Sequence, residues 1–238
     1  MIIGKDGIAM KTMVIAGAGK GLGLSIARRF GKEGFQIVLV ARTAEKLQSM
    51  VDELKEKGIE ASYFVADLAN KEQVEKAVAD IKAKYGKIDV VEFSPAVGNA
   101  PPTTALETTA ESAIEFFAAQ VGSAINVVNS VVQDMIERGE GALLFTGGLS
   151  GVYPIPILGN VGISMAGLRN YIANLHTALA PKGILVANRP LGLLIKPAGT
   201  GGVSDPDVIA DMWYQVYTEK LGGEEEYPKG VTPGTMLF

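Results

Sequence analysis

Short, continuous apolar runs alternate with helical stretches along most of the chain, and this alternation constrains the fold more than any other feature of the sequence. The predicted strands are Met13–Ala16, Gln36–Ala41, Ser62–Ala66, Ile88–Phe93, Ala142–Thr146 and Ile184–Asn188. The predicted helices are Leu22–Lys32, Glu45–Lys57, Lys71–Lys84 and, with less sharp ends, Glu111–Glu137, Val161–Leu179 and Asp207–Lys220. Strands that are apolar throughout are typical of a parallel sheet covered on both faces. Since crossovers between parallel strands are right-handed, the pattern predicts an α/β, doubly wound, Rossmann-type parallel sheet in three layers.

Length and composition narrow the classes of protein further. The 238 residues suit one domain over residues 1–238, and 47% apolar with 20% charged residues excludes a disordered chain. The net charge is −4 and the basic residues are scattered, so we expect no nucleic-acid partner. With no cysteine and a single histidine, His176, the chain offers no disulfide, thiolate nucleophile or histidine-rich metal site, and we expect no metal ligands.

The N-terminal stretch bears on the compartment. Gly4, Lys5, Asp6 and Gly7 interrupt it before a long apolar run develops, and no run of about 18 apolar residues occurs elsewhere. We therefore expect neither a signal peptide nor a membrane anchor, and a cytoplasmic location.

A glycine-rich turn follows the first predicted strand and precedes the first predicted helix. It reads Gly17-Ala18-Gly19-Lys20-Gly21-Leu22-Gly23. Glycines at such a turn let the backbone approach a pyrophosphate closely, and the helix that follows offers free N–H groups and a partial positive charge. Because of its place in an alternating α/β chain, the turn predicts a dinucleotide site.

The residues after the second strand indicate which dinucleotide is preferred. An NAD site places a carboxylate there, whereas this chain has Ala41-Arg42-Thr43. Arginine can pair with the 2′-phosphate of NADP, and Lys20 in the glycine turn adds a second positive charge. The alternative is that Arg42 only starts a helix on a solvated surface. Two cations predicted at one phosphate favour NADP(H).

The two long helices suggest an assembly. The stretch Ile114–Met135 is apolar nearly all round, and small residues recur in the other long helix. These small residues are Gly162, Ser164, Ala166, Gly167 and Ala173. We interpret both as the contact surface of a homodimer or homotetramer; the alternative is that they form core within one chain.

The segment 190–206 is rich in glycine and proline and is predicted to be a mobile loop over the site. Loops at the carboxyl ends of parallel strands are where ligands bind. A flap over a cofactor and an inert surface loop both fit this composition.

Taken together, these motifs resemble the short-chain dehydrogenase/reductase family. Ala16 to Gly23 is similar to the family's Thr-Gly-x-x-x-Gly-x-Gly turn, with alanine in place of threonine, and Lys20 and Arg42 match the basic residues of NADP-preferring members. The resemblance extends from about Lys11 to Leu194 and implies an oxidoreductase fold that binds NADP(H). The cofactor residues it implies, with those of the turn, are Gly17, Gly19, Lys20, Gly21, Leu22, Ala41, Arg42, Thr43, Asp67, Leu68, Ser94, Pro95, Ala96 and Leu193.

The resemblance also locates the family's catalytic positions. Its serine falls on Gly148, its tyrosine on Val161, its lysine on Met165 and its relay asparagine on Gln120. Valine cannot donate a proton, methionine cannot lower a neighbour's pKa, and glycine cannot hydrogen-bond a substrate. We therefore expect no catalytic residue at these positions.

The chain matches the family's cofactor-binding residues but not its catalytic residues, and two functional hypotheses follow from this. One is an oxidoreductase of this family that acts on a small-molecule substrate by an altered mechanism. The other is a non-catalytic NADP(H)-binding protein, acting as a redox sensor or as a partner subunit. A purely structural protein with an empty site is a third and weaker interpretation.

Overall fold

The structure is a computed structural model, and it describes residues 10–94 and 100–237. The strands are β1 (Thr12–Ala16), β2 (Gln36–Ala41), β3 (Ala61–Val65), β4 (Val90–Phe93), β5 (Gly141–Gly148), β6 (Ile184–Leu191) and β7 (Gly223–Glu224). The α-helices are α1 (Leu22–Lys32), α2 (Ala44–Glu56), α3 (Lys71–Tyr85), α4 (Ala110–Phe117), α5 (Ser123–Arg138), α6 (Gly159–Leu179) and α7 (Pro206–Thr218).

The strands form one parallel, seven-stranded sheet in the order β3-β2-β1-β4-β5-β6-β7. The order reverses between β1 and β4, which is the point at which ligands bind to sheets of this kind. In the register, Ile15 of β1 lies between Leu39 of β2 and Glu92 of β4. The carboxyl ends of these strands therefore meet at one edge.

Apolar side chains cover both faces of the sheet and account for its three layers. One core cluster includes Phe30 of α1, Leu47 of α2 and Trp213 of α7. The cluster on the other face includes Val128 of α5 and Ile172 of α6. The predicted fold class, a three-layered, doubly wound parallel sheet, is confirmed.

The single helix predicted over Glu111–Glu137 was wrong. A π-helical turn, Ala118–Gly122, separates α4 from α5. Such turns widen the helix locally and arise where a side chain must be re-aimed. Here the turn carries Gln120, a buried amide whose Oε1 accepts a hydrogen bond from the Ser164 hydroxyl of α6. Residue periodicity contains no sign of this contact.

The segment 190–206 also departs from the prediction at both of its ends. Pro190 and Leu191 belong to β6, and Pro206 begins α7. Pairing on both sides explains the first difference: Gly147 and Gly148 of β5 pair with Pro190 and Leu191, and the Tyr227 N–H donates to the Pro190 carbonyl at 2.9 Å. Gly192 and Leu193 are buried, and residues 194–203 are exposed. The mobility of this stretch and its role as a flap stay predictions.

Most of the apolar side chains of the long helices are buried in the core of the chain itself. Val121, Val127, Val128 and Val131 are all buried. A Cβ on Gly167 would lie 3.5 Å from Phe117 and from Val121, so this glycine accommodates the chain's own helices. The side chains that stay exposed are Ile114 at 68%, Phe117 at 47% and Ile163 at 54%.

Two observations concern residues 10–94 and 100–237 as a whole. None of their helices combines the length and the apolar character needed to cross a membrane. In the same part of the chain, no three His, Cys, Asp or Glu side chains come together in a way that would hold a metal ion.

Candidate functional site

A cavity of about 710 Å³ opens at the carboxyl edge of the sheet, beside β1 and β2. Its walls come from the glycine turn, the end of β2, the start of α2, the segment after β3, and the helical region around the π turn. The predicted site residues that line it are Gly17, Gly19, Lys20, Ala41, Arg42, Thr43, Asp67 and Leu68. Sequence motifs separated by tens of residues thus meet in one cavity.

The glycine turn is anchored on β2 and leaves space on its outer side. The N–H groups of Gly17 and Ala18 both donate to the Val40 carbonyl, at 2.9 and 3.1 Å, and Gly17 has a φ of +90°, which favours glycine. At Gly19 φ is not in the left-handed region, and no atom lies within 4 Å of the position of a Cβ. Nothing in the described chain therefore requires a glycine at position 19. The open space matches what a closely approaching pyrophosphate needs.

The start of α1 adds a favourable electrostatic feature. Gly21 caps this helix without a side-chain hydrogen bond, and its first turn contains no acidic residue. The first N–H groups of a helix have no partners within the helix, and they carry a partial positive charge. In α1 the Leu24 N–H already donates to the Gly19 carbonyl at 3.0 Å, and an anion at the glycine turn would satisfy the N–H groups that precede it.

Lys20 and Arg42 lie on two sides of the same cavity and are exposed. Lys46, in the first turn of α2, also lines it. Sequence reasoning missed Lys46, although its place just after Arg42 at the start of a predicted helix was a usable signal. Within the described chain, none of these cations forms an ion pair with an acidic side chain.

The opposite wall is held by hydrogen bonds around Asp67 and Leu68. The Asp67 carboxylate accepts from the Ala69 N–H at 3.0 Å, and the Asp67 N–H donates to Gln73 Oε1 at 2.9 Å. Asn126 of α5 donates to the Leu68 carbonyl at 3.0 Å. The segment after β3 is thus fixed from two helices.

Gly21, Leu22, Ser94 and Leu193, the other predicted cofactor residues that the structure describes, do not line this cavity. Gly21 caps α1, Leu22 is buried in the core, and Leu193 is buried in the cluster under α1 and α7. Ser94 follows β4, where its N–H donates to the Ala16 carbonyl at 3.3 Å. Pro95 and Ala96 lie outside the described residues.

The positions at which the resemblance predicts the family's catalytic residues come together at the end of β5 and the start of α6. A Cβ on Gly148 would lie 3.6 Å from the Met165 Sδ and 3.6 Å from the Ser150 Oγ. Val161 is buried one turn before Met165. Gln120 lies across from them, and its Nε2 has no hydrogen-bond partner among the described residues.

Asn160 holds the segment before α4 against the start of α6, a feature that sequence reasoning missed. Its side chain is fully buried; Oδ1 accepts from the Thr103 N–H at 3.0 Å and Nδ2 donates to the Pro101 carbonyl at 3.0 Å. The Gly159 N–H donates to the Thr103 carbonyl. This contact shapes the side of the sheet edge where Val161 lies.

Comparison with known proteins places these features in one family. The model of the short chain dehydrogenase family matches residues 11–198. A very-long-chain 3-oxoacyl-CoA reductase of Aspergillus terreus is 30% identical over 177 residues, which are 73% of this chain and 50% of that protein. The chain thus spans about half the length of that relative. The NADP-dependent 3-hydroxy acid dehydrogenase YdfG of Salmonella typhi is 28% identical over 226 residues, covering 93% of this chain and 84% of that protein.

Solved structures share the fold. An L-sorbose reductase from Gluconobacter frateurii, complexed with NADPH and L-sorbose, aligns with a TM-score of 0.83 at 23% identity over 96% of this chain and 97% of that one. The family model covers most of the chain, including the glycine turn, β4, β5 and α6. The chain belongs to the short chain dehydrogenase family.

Proposed function

We propose that the chain binds NADP(H) in the cavity at the carboxyl edge, without the family's usual carbonyl and alcohol chemistry. The observation that carries this proposal is that Lys20 and Arg42 line one cavity with Gly19, whose Cβ position is open. A relative named as NADP-dependent and a solved structure complexed with NADPH support it.

The preference for NADP(H) over NAD(H) rests on charge. No acidic residue follows β2, where Ala41, Arg42 and Thr43 line the cavity. An arginine there can make bidentate, charge-assisted hydrogen bonds to a 2′-phosphate. Lys20 and Lys46 add positive charge to the same cavity. The Asp67–Leu68 wall is positioned for the adenosine end.

The catalytic part of the proposal rests on residue chemistry. NADPH supplies a hydride when it is bound, and carbonyl reduction also needs a proton donor beside the substrate oxygen. The side chains of Val161 and Met165 can neither donate a proton nor lower a donor's pKa, and Gly148 has no side chain to orient a substrate. Loss of general acid catalysis lowers rates by about 10²–10⁴.

A redox sensor or partner subunit is the role that this combination favours, because neither role requires hydride transfer. An oxidoreductase that protonates its small-molecule product by other means is the second candidate, and family membership favours it. For either role we propose self-association through the exposed apolar side chains of α4 and α6, and a cytoplasmic location.

Titration calorimetry with NADPH and NADH tests the binding proposal. We expect NADPH to bind more tightly, and Arg42→Ala to weaken NADPH binding by about 10- to 100-fold while changing NADH binding little, as expected for a lost charged hydrogen bond. Lys55→Ala, an exposed change near the other end of α2, is the matched control and should alter neither affinity. Absence of heat with both nucleotides would overturn the proposal.

A further inference from the structure

A fully buried carboxyl group lies in the middle of the sheet. Glu92 of β4 is in register with Ile15 of β1 and Leu144 of β5 and has no exposed surface. Val90, two residues earlier, belongs to the core cluster under α1 and α7, so Glu92 faces the same way. A carboxyl among apolar side chains is unfavourable unless it is compensated, and it therefore calls for an explanation.

The hydrogen bonds around Glu92 are incomplete. Thr146 Oγ1 lies 2.9 Å from Glu92 Oε1, and the indole N–H of Trp213 donates to the same Thr146 oxygen at 3.1 Å. Because an indole can only donate, the threonine hydroxyl is left to donate to the carboxyl. The other carboxyl oxygen, Oε2, has no hydrogen bond of ordinary geometry among the described residues.

Burial raises the pKa of Glu92 to about 7, and the side chains of Ser94 and Thr146 oppose that rise. Charged groups on the surrounding elements are engaged elsewhere. Arg189 of β6 donates to the carbonyls of Asn188, Gly223 and Leu221. On α1, Arg28 pairs with Asp207 and Arg29 with Asp211, both on α7, and Tyr214 stacks on Arg29. Beside β1 and β4, Lys11 bonds to Glu140 and Tyr217, and Asp89 pairs with Lys87. Within the described chain, none of these groups forms an ion pair with Glu92.

The carboxyl points toward the edge at which the site lies. Thr146 is two residues further along β5 than Leu144, the residue in register with Glu92, so the side chain rises toward the carboxyl ends of the strands. Ser94, which is bonded to the end of β1, lies beside it, and Leu193 belongs to the same core cluster. Ser94 and Leu193 are among the cofactor residues that the family resemblance implies, and neither lines the cavity proposed for the phosphates and the adenosine, so we place the nicotinamide end beside them.

We propose that Glu92 makes the chain discriminate between the two redox states of the nicotinamide cofactor, as a carboxyl that gives up its proton when the oxidised form binds. The inference rests on the proposed function. The nicotinamide ring carries a positive charge only in NADP⁺, and a nearby carboxylate in a low-dielectric core attracts it. The proton passes to solvent, and no electron is transferred in this binding step.

Affinities for NADP⁺ and NADPH, measured between about pH 6 and about pH 8.5, test the inference, because this range spans the titration of a carboxyl with a pKa near neutrality. The ratio of the two affinities removes the titration of the 2′-phosphate, which both nucleotides carry. The preference for NADP⁺ should grow by about tenfold with rising pH in the natural chain, since one pKa unit of coupling corresponds to about that factor. In Glu92→Gln the ratio should stay constant.

Trp213 provides a second readout that needs no cofactor. It is the only tryptophan in the chain and is linked to Glu92 through Thr146. In the ligand-free chain its fluorescence should change with a midpoint at about pH 7, and this change should vanish in Glu92→Gln. Thr146→Val removes a hydrogen bond to the ionised carboxyl and should shift the pH dependence of the affinity ratio to higher pH.

The outcomes separate the two proposals. Binding of both nucleotides with a ratio that does not depend on pH, or a pH dependence that survives in Glu92→Gln, overturns the role of Glu92 alone. Absence of any nucleotide binding overturns the proposed function and this role with it. If Glu92→Gln does not fold, the pH dependence of the affinity ratio in Thr146→Val decides, and a midpoint equal to that of the natural chain contradicts the inference.

Discussion

The residues at the carboxyl ends of β1 and β2 illustrate how single positions determine what the cavity can hold. Gly17 has the backbone conformation that favours glycine, and Gly23 packs α1 on β1, where a Cβ would lie 3.4 Å from Ile15. Gly19 has neither constraint. Its missing side chain keeps open the space between Lys20 and Arg42, which is the space that a dinucleotide phosphate would need.

The altered catalytic positions give a prediction at this scale. The combined variant Gly148→Ser, Val161→Tyr and Met165→Lys should reduce carbonyl compounds with NADPH faster than the natural chain does, because it supplies the orienting hydroxyl, the proton donor and the cation that lowers the donor's pKa. A serine fits at position 148, since its Cβ would meet Met165 and Ser150 only at van der Waals distance. Consumption of NADPH over a panel of carbonyl substrates measures the effect.

Met165→Lys alone is the matched control, because it adds the cation without a proton donor. A measurable rate in the natural chain equal to that of the combined variant would show that the chain already has a working proton donor, and it would contradict this part of the account.

The site residues predicted from the sequence are those whose proposed role depends on local chemistry. Glycines in a strand–turn–helix and Arg42 after β2 are recognisable without coordinates. The sequence does not reveal the hydrogen bonds of Asn160 and Glu92, or the one between Gln120 and Ser164. The partners in these bonds lie 44 to 59 residues apart along the chain, and a lone polar residue in an apolar segment does not reveal its partner.

At the scale of elements, the segment before α4 depends on one side chain of α6. Asn160→Ala removes hydrogen bonds to Pro101 and Thr103 and leaves a partly buried N–H and a carbonyl without their side-chain partner. We expect a loss of about 2–3 kcal/mol in the free energy of unfolding. We also expect Asn160→Ala to speed up amide hydrogen exchange at Thr103, relative to the natural chain, more than it does at the amides of β5.

Asn174→Ala is the control for this change, because that exposed side chain bonds only to Asn170 one turn earlier in α6. If Asn160→Ala and Asn174→Ala gave the same unfolding free energy and the same exchange at Thr103, the Asn160 contact would not hold this segment.

The elements themselves were largely predictable, and the exceptions have physical causes. The central strands are apolar on both faces, and they were found within a few residues of their ends. β7 was not predicted, because its two residues, Gly223 and Glu224, form no apolar run. They join the sheet only by pairing with β6 after α7 has brought the chain back. The π turn depends on a tertiary contact of Gln120, and local pattern does not encode such contacts.

On the scale of the whole molecule, the exposed apolar side chains of α4 predict self-association. Ile114→Glu together with Phe117→Glu should shift the chain toward the monomer, because charged groups in an apolar contact oppose its burial. Light scattering coupled to size-exclusion chromatography measures the mass.

Val65→Glu is the control, because Val65 is equally exposed, at 50%, but lies at the end of the edge strand β3. It should leave the mass unchanged. A natural chain that is monomeric at all concentrations, or an assembly that both variants leave intact, would contradict association through α4.

The central proposal about the whole molecule is that the fold holds a positively charged pocket for a dinucleotide with a 2′-phosphate. The most direct test compares the affinities of 2′,5′-ADP and 5′-AMP, which share the adenosine and the 5′-phosphate and differ in the 2′-phosphate alone. The account predicts that 2′,5′-ADP binds at least about tenfold more tightly, as one charge-assisted contact is typically worth that much or more. Equal affinity for the two fragments, or binding of neither, would contradict it.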